Sequence, residues 1–360
     1  MLTVVLQRCR FNEVLIAVFC FLAPLLLEAQ NTPAAPELPG KTGVTESSGV
    51  PGNPSVTQTV DAPQAQPGKD ELANQPANDQ DSVFVFKKEV EEVILHATVV
   101  DGQRRLVPNL DRNTFSVFEN GAPQKITSFR QEDVPVALGV VVDNSGSMRD
   151  KRDKINQAVL NLIRAGNPGD EIFVVNFSQF PYLDQDFTSD INLLQQALQK
   201  ISQHGSTALY DAIVASSVHL RNNTRMDKKA LLVITDGHDN ASRETLQEAA
   251  RRLQQENGPT LYAVGLLGEE ELRRPGREAL KSLADSTGGV AFFPRTLDEV
   301  NDITQTVAHD IRSQYTIGYK STNPKQNTQY RTVRVEARAR PHANLTVRTR
   351  SGYYPGKPVP

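Results

Sequence analysis

Residues Val136–Met148 read "VALGVVVDNSGSM": seven apolar or small residues, then one carboxylate (Asp143) and two hydroxyls (Ser145, Ser147) at alternate positions around Gly146. A run this apolar, without polar alternation, predicts a strand covered on both faces, as in a parallel sheet sandwiched by helices. In open sheets of that kind, ligands bind at the carboxyl ends of the strands. Asp143 stands at such an end. In a tight turn, alternate residues 143, 145 and 147 can converge on one point, and Gly146 is expected to relieve backbone crowding there. One carboxylate and two hydroxyls are an all-oxygen set, suited to Mg²⁺, Mn²⁺ or Ca²⁺ rather than zinc.

The surrounding sequence supplies the sheet. From Val136 to about Ser313, apolar runs at 136–142, 171–177, 230–235, 260–265 and 290–293 predict strands. Amphipathic stretches lie between them. In "KINQAVLNLI", Ile155, Ala158, Val159, Leu162 and Ile163 fall on one helical face. "INLLQQALQKI", "ALYDAIVASSVHL", "ETLQEAARRLQQ" and "EVNDITQTVAHDI" also predict helices. Repeated βα units of this kind imply an α/β fold: a doubly wound, mainly parallel, Rossmann-like sheet.

Two further stretches reach the same edge. "HGSTALYDA" places Thr207 just before a helix, and "LLVITDGHDN" places Asp236 at the end of a buried strand. Taken alone, Asp143 or Ser145 would serve equally as a helix cap. Asp239 and Asn240 read as a turn or cap, and His238 as a surface loop residue.

The flanks are β in pattern. Residues 83–135 contain "VEEVILHATVVD" and "TFSVFENGAPQKITSF", with a hairpin signal at Asn120-Gly121. Residues 314–360 contain "QYTIGYK", "QYRTVRVEARAR" and "NLTVRTRSGYY". Val333, Val335, Ala337 and Ala339 alternate there with Arg334, Glu336, Arg338 and Arg340, the mark of a sheet buried on one face. These antiparallel segments are expected to pair into one small sheet, with the α/β domain (136–313) inserted between them.

Together D-x-S-x-S after an apolar strand, G-S-T-A-L-Y-D and I-T-D-G resemble the von Willebrand factor type A domain. The flanks resemble those of bacterial exported proteins of the VWFA-related family. The resemblance implies a metal-ion-dependent adhesion site. Asp143, Ser145, Ser147, Thr207 and Asp236 would hold a divalent cation, Mg²⁺ or else Mn²⁺ or Ca²⁺, with Gly146 and Asp211 in support. It implies a protein partner that offers an Asp or Glu side chain or a C-terminal carboxylate to the metal. Neutral hydroxyl ligands leave much of the cation's charge uncompensated, so a carboxylate from outside can replace a metal-bound water.

The N-terminal region sets the compartment expected. Arg8 and Arg10 precede an apolar run from Val14 to Leu27, too short for the ~20 residues that span a bilayer. Residues 1–29 therefore read as a signal peptide, with an uncleaved anchor as the alternative, and the protein as exported: periplasmic, cell-surface or secreted. Both cysteines, Cys9 and Cys20, lie in this segment, which leaves the remainder without thiol chemistry. Residues 30–82 are rich in Pro, Gln, Asn, Ser and Thr and nearly free of large apolar side chains, so a disordered linker is expected.

The net charge of −3 offers no footprint for nucleic acid. The one basic region is the C-terminal segment, where Arg334, Arg338 and Arg340 share a polar strand face. It reads as a solvated surface or as a contact for an anionic cell-envelope polymer. No G-x-S-x-G, H-E-x-x-H or Walker motif is present, and no histidine accompanies the two serines, so no enzymatic activity is expected. The alternatives are a metal-dependent hydrolase, which usually has more carboxylates at its metal, and a purely structural metal site.

Overall fold

The computed structural model describes residues 92–200, 205–237, 239–266, 275–323, 328–340, 342 and 344–356. The expected signal peptide and linker, His238, Lys325 and Lys357 lie outside the described residues. In chain order, β1 (Val93–Val100), β2 (Phe115–Glu119), β3 (Ala122–Gln124) and β4 (Ile126–Arg130) come first. The α/β part follows with β5 (Ala137–Asp143), α1 (Arg152–Arg164), β6 (Glu171–Phe177), β7 (Pro181–Thr188), α2 (Ile191–Leu198) and α3 (Leu209–Asn223). It continues with β8 (Lys229–Thr235), α4 (Leu246–Leu253), β9 (Thr260–Gly265), α5 (Pro275–Thr287), β10 (Ala291–Phe292) and α6 (Glu299–Arg312). The chain closes with β11 (Tyr315–Tyr319), β12 (Arg331–Ala337), β13 (Thr346–Arg348) and β14 (Gly352–Tyr353).

The central sheet has the order β10-β9-β8-β5-β6-β7, parallel except for β7 at one edge. Every residue of β5 and β8 is buried. Alternate residues serve two separate cores. Leu138, Val140 and Val142 pack with apolar residues of α1, α2 and α6, and Val141 with those of α3, α4 and α5. Gly139 is the point of closest approach, because a Cβ there would lie within 2.4–2.5 Å of the Phe173 and Leu231 side chains.

Two elements of the α/β part escape the sequence patterns. β7 begins with Pro181, tolerated at the first residue of an edge strand, and its exposure does not alternate cleanly. α5 also begins with proline, yet its buried Ala279, Leu280, Leu283, Ala284 and Thr287 carry a helical spacing.

The flanking strands form two four-stranded sheets rather than the single sheet expected. One has the order β13-β1-β11-β4 and the other β14-β12-β2-β3, so each mixes strands from before and after the α/β part. Both draw on one apolar core that includes Leu95, Val117, Ile317 and Val335. The Asn120-Gly121 hairpin forms as expected, both residues with positive φ (49° and 80°).

A buried acid fastens the second sheet to the first. The Glu119 carboxylate accepts hydrogen bonds from Tyr319 Oη (2.7 Å), Tyr353 Oη (2.9 Å), Ser321 Oγ (2.7 Å) and Asn323 Nδ2, with Arg331 Nη1 at 3.7 Å. Burial pushes its pKa up, but these hydrogen bonds outweigh it and hold the carboxyl below its ordinary value. Three of the C-terminal arginines are likewise structural. Arg331 and Arg350 are buried, and Arg348 pairs with the buried Asp310 of α6 at 2.7 Å. Arg334 and Arg338 both pair with Glu336, and Arg334 also lies over the Phe118 ring.

His96 marks a pH-sensitive joint between the two parts. From β1 its Nε2 lies 3.2 Å from the carbonyl of Asp227, and its Nδ1 lies 3.4 Å from Thr316 Oγ1. Burial, reinforced by the positive charge of Lys228, pulls the imidazole down to about 4. The folded state therefore holds neutral His96, whereas the unfolded chain takes up a proton below about 6.5. Stability from this residue is complete above that pH and is lost as pH falls from 6.5 towards 4. The loss should reach on the order of 1–3 kcal/mol. Melting temperatures of the unaltered protein and His96→Gln across pH 4–7 should diverge, with the variant showing the shallower acid decline. Parallel curves would refute this.

Candidate functional site

The expected ligands meet at the carboxyl edge of the central sheet. β5 and β8 are parallel neighbours, with Val142 beside Ile234, so Asp143 and Asp236 end adjacent strands. Asp143 is fully buried. Its Oδ1 accepts from the backbone N–H of Ser145 (2.8 Å) and its Oδ2 from Thr235 Oγ1 (2.6 Å). The chain then enters a 3-10 turn, Gly146–Lys151, which leads into α1. That turn brings Ser145 Oγ within 3.1 Å of Ser147 Oγ, and Ser147 Oγ donates to Asp236 Oδ1 at 2.8 Å.

Thr207 arrives on a loop tied to the end of β6, where the N–H of Ala208 donates to the Ser178 carbonyl (2.7 Å). The loop after β8 holds it from the other side. Asn240 Oδ1 accepts from the Thr207 N–H (2.8 Å), and the Asn240 N–H donates to the Thr207 carbonyl (2.9 Å). A Cβ built on Gly237 would lie 3.4 Å from Thr207 Oγ1 and 4.0 Å from Asp143 Oδ2, so both side chains border the same glycine.

Of the two supporting residues expected, only Gly146 departs from its expected role. Asp211, at the start of α3, accepts from the backbone N–H groups of Arg243 (3.0 Å) and Glu244 (2.9 Å), so it pins the loop that follows Asp236. Gly146 is exposed, lacks a positive φ, and a Cβ there would meet nothing within 4 Å. It relieves no crowding. Asp239 and Asn240 are fasteners of the Thr207 loop and of α3 rather than simple turn residues; the Tyr210 N–H reaches Asp239 Oδ1 at 3.3 Å. Three residues that sequence reasoning missed complete the site: Thr235, Asn240 and Lys151, whose Nζ donates to Asp236 Oδ2.

The donor set fits a small hard cation. Among the described residues, no group of three or more His, Cys, Asp or Glu side chains is arranged to hold a metal. This cluster has two carboxylates and three hydroxyls. In an octahedron with ~2.1 Å bonds, adjacent oxygens stand ~3.0 Å apart. The 3.1 Å and 2.8 Å contacts that run from Ser145 through Ser147 to Asp236 are hydrogen bonds, and they bring these three oxygens close enough to face one small cation. Burial, with a smaller contribution from the nearby negative charge of Asp236, also raises the Asp143 pKa. A bound cation would offset both.

A doubly wound, mostly parallel sheet covered by helices on both faces defines a Rossmann-like α/β domain. Residues 138–306, just under half of the chain, match the family model of the von Willebrand factor type A domain. The chain therefore carries a von Willebrand factor type A domain. Among solved structures it is similar to the PilB minor pilin from Streptococcus sanguinis (15% identity, TM-score 0.42), covering 51% of this chain and 63% of that one. It is also similar to proximal thread matrix protein 1 from the mussel byssus with a zinc-occupied MIDAS motif (15%, TM-score 0.44), covering 55% of this chain and 50% of that one. A third is the vWF domain of the type V pili tip protein Mfa5 from Porphyromonas gingivalis (14%, TM-score 0.41), covering 50% and 97%. The chain thus spans under two thirds of PilB and half of the byssus protein. No curated protein matches it.

Proposed function

We propose that this protein is an exported, adhesion-type interaction module that captures a carboxylate of a protein partner through a divalent cation, Mg²⁺ or else Mn²⁺ or Ca²⁺. Asp143, Ser145, Ser147, Thr207 and Asp236 would hold the ion. The observation that carries the reading is the hydrogen-bonded run of Ser145, Ser147 and Asp236 oxygens at the sheet edge where the buried Asp143 also ends, in a set where three of five donors are neutral. When bound, the ion supplies an electrophilic point at the sheet edge. The chain's own residues orient it: Thr235 and the Ser145 N–H fix Asp143, and Asn240 clamps Thr207. Ser147 and Gly146 are exposed at the rim, which leaves the outward side of the site open to a partner. No described helix is long and apolar enough to cross a membrane. The domain limits read from the sequence (136–313 between β segments 83–135 and 314–360, after the linker 30–82) are part of this proposal.

A lesser contact with an anionic cell-envelope polymer would fall to Arg338 and Arg340, which border an open cleft with His342. One capture experiment separates the two. Envelope and culture proteins are passed over the immobilised protein in Mg²⁺, beside Asp143→Ala as control. Partners retained by the unaltered protein alone and released by EDTA support the metal reading. Material retained by both and released only by salt belongs to the arginine cleft. Identical EDTA-resistant capture by both proteins would sink the metal-dependent function.

A further inference from the structure

Among the described residues, Lys151 is the basic side chain that enters the oxygen cluster. It lies four residues after Ser147, at the end of the same 3-10 turn that delivers the serine hydroxyls. Its neighbour Arg152 turns elsewhere, to the Asn144 side chain and the carbonyls of Leu198 and Lys200. Lys154 pairs with Asp298 on the surface. Lys151 Nζ instead donates to Asp236 Oδ2, while Asp236 Oδ1 accepts from Ser147. Both oxygens of that carboxylate are therefore engaged by one short segment of chain. The Asp236 side chain is 3% exposed and that of Lys151 is 29% exposed, so the ammonium sits between the buried carboxylate and solvent.

From this geometry we infer that Lys151 is a tethered cation that competes with the metal for Asp236. The inference rests on reading the cluster as a metal site. A lysine ammonium and a divalent ion both seek the same carboxylate, and two cations within a few ångströms repel strongly in a half-buried setting. Metal binding must therefore detach the ammonium. Its four-carbon stem is flexible and already partly exposed, so the charge moves outward to the rim of the site. Lys151 thus weakens the metal site and, once released, adds a second positive group beside the metal, on the side that an acidic partner would approach.

Two measurements on the full chain test this. Calorimetry with Mn²⁺ should show Lys151→Gln binding about fivefold more tightly than the unaltered protein, the scale of one partly exposed charge-assisted contact. In the unaltered protein, reductive methylation of Lys151 followed by mass spectrometry should quicken several-fold when Mn²⁺ is added, with Lys154 unchanged as internal reference. Equal affinities of the two proteins, or methylation of Lys151 indifferent to Mn²⁺, would overturn the inference and leave the metal reading standing. Absence of Mn²⁺ binding by both proteins would overturn the two together.

Discussion

Replacing Asp143 and Asp236 together by alanine should abolish divalent metal binding: no heat of association at Mn²⁺ concentrations that saturate the unaltered protein. Among the described residues these are the only carboxylates in the cluster; Asp143 is held by the Ser145 N–H, and Asp236 accepts from Ser147 Oγ. Without them three hydroxyls remain, and neutral oxygens alone are a poor match for an ion that sheds its water reluctantly. The fold should survive, since both residues stand at strand ends and the cores on either face of the sheet are untouched. Far-ultraviolet circular dichroism would confirm that. Unchanged Mn²⁺ binding by the folded double variant would place the ion elsewhere.

The second large effect concerns Glu119. Glu119→Ala should destabilise the β unit by about 3–5 kcal/mol, the scale expected when one partner of a buried ion pair is removed. The loss would strip Arg331 of its carboxylate and remove the acceptor shared by the buried hydroxyls of Tyr319 and Tyr353. Glu119→Gln, which keeps an acceptor of the same shape, should lose less. Chemical denaturation followed by tyrosine fluorescence measures both, since these two tyrosines flank the site of change. A loss below about 1 kcal/mol in the alanine variant would mean that the network contributes little.

Much of this was readable in advance because burial on two faces leaves a plain mark. Strands such as 171–177 and 260–265 are nearly unbroken apolar runs, and they fall where expected. Alternation of Val333, Val335 and Ala337 with charged residues likewise matched the one-sided burial of β12. What stayed hidden depends on contacts across long stretches of sequence. That the flanking segments build two sheets follows from which strand pairs with which, as when β2 pairs with β12 rather than with β1. The five expected ligand positions stood out through motif spacing, but Thr235 and Asn240 act through hydrogen bonds that no spacing encodes. Lys151 lies beside other basic residues in "MRDKRDK", and only the turn at Gly146–Lys151 selects it for Asp236. The basic C-terminal segment looked uniform in composition, yet burial divides it into internal arginines and rim arginines.

The pairing of β1 with β11 has a mechanical meaning. The α/β part leaves through α6 into the first residue of β11, and Tyr315 sits opposite Ala97, whereas Val93 sits opposite Tyr319. Tension between a partner held at the sheet edge and the chain preceding Val93 would pull these antiparallel strands from their two opposite ends. Their hydrogen bonds run perpendicular to that pull. The ladder from Val93–Tyr319 to Ala97–Tyr315 would then be strained in shear, all rungs at once, instead of being peeled open one rung at a time. β4, paired on the other side of β11 through Thr316 and Arg130, takes the load at the same end as the α/β part. Such a joint resists extension far better than it resists unzipping.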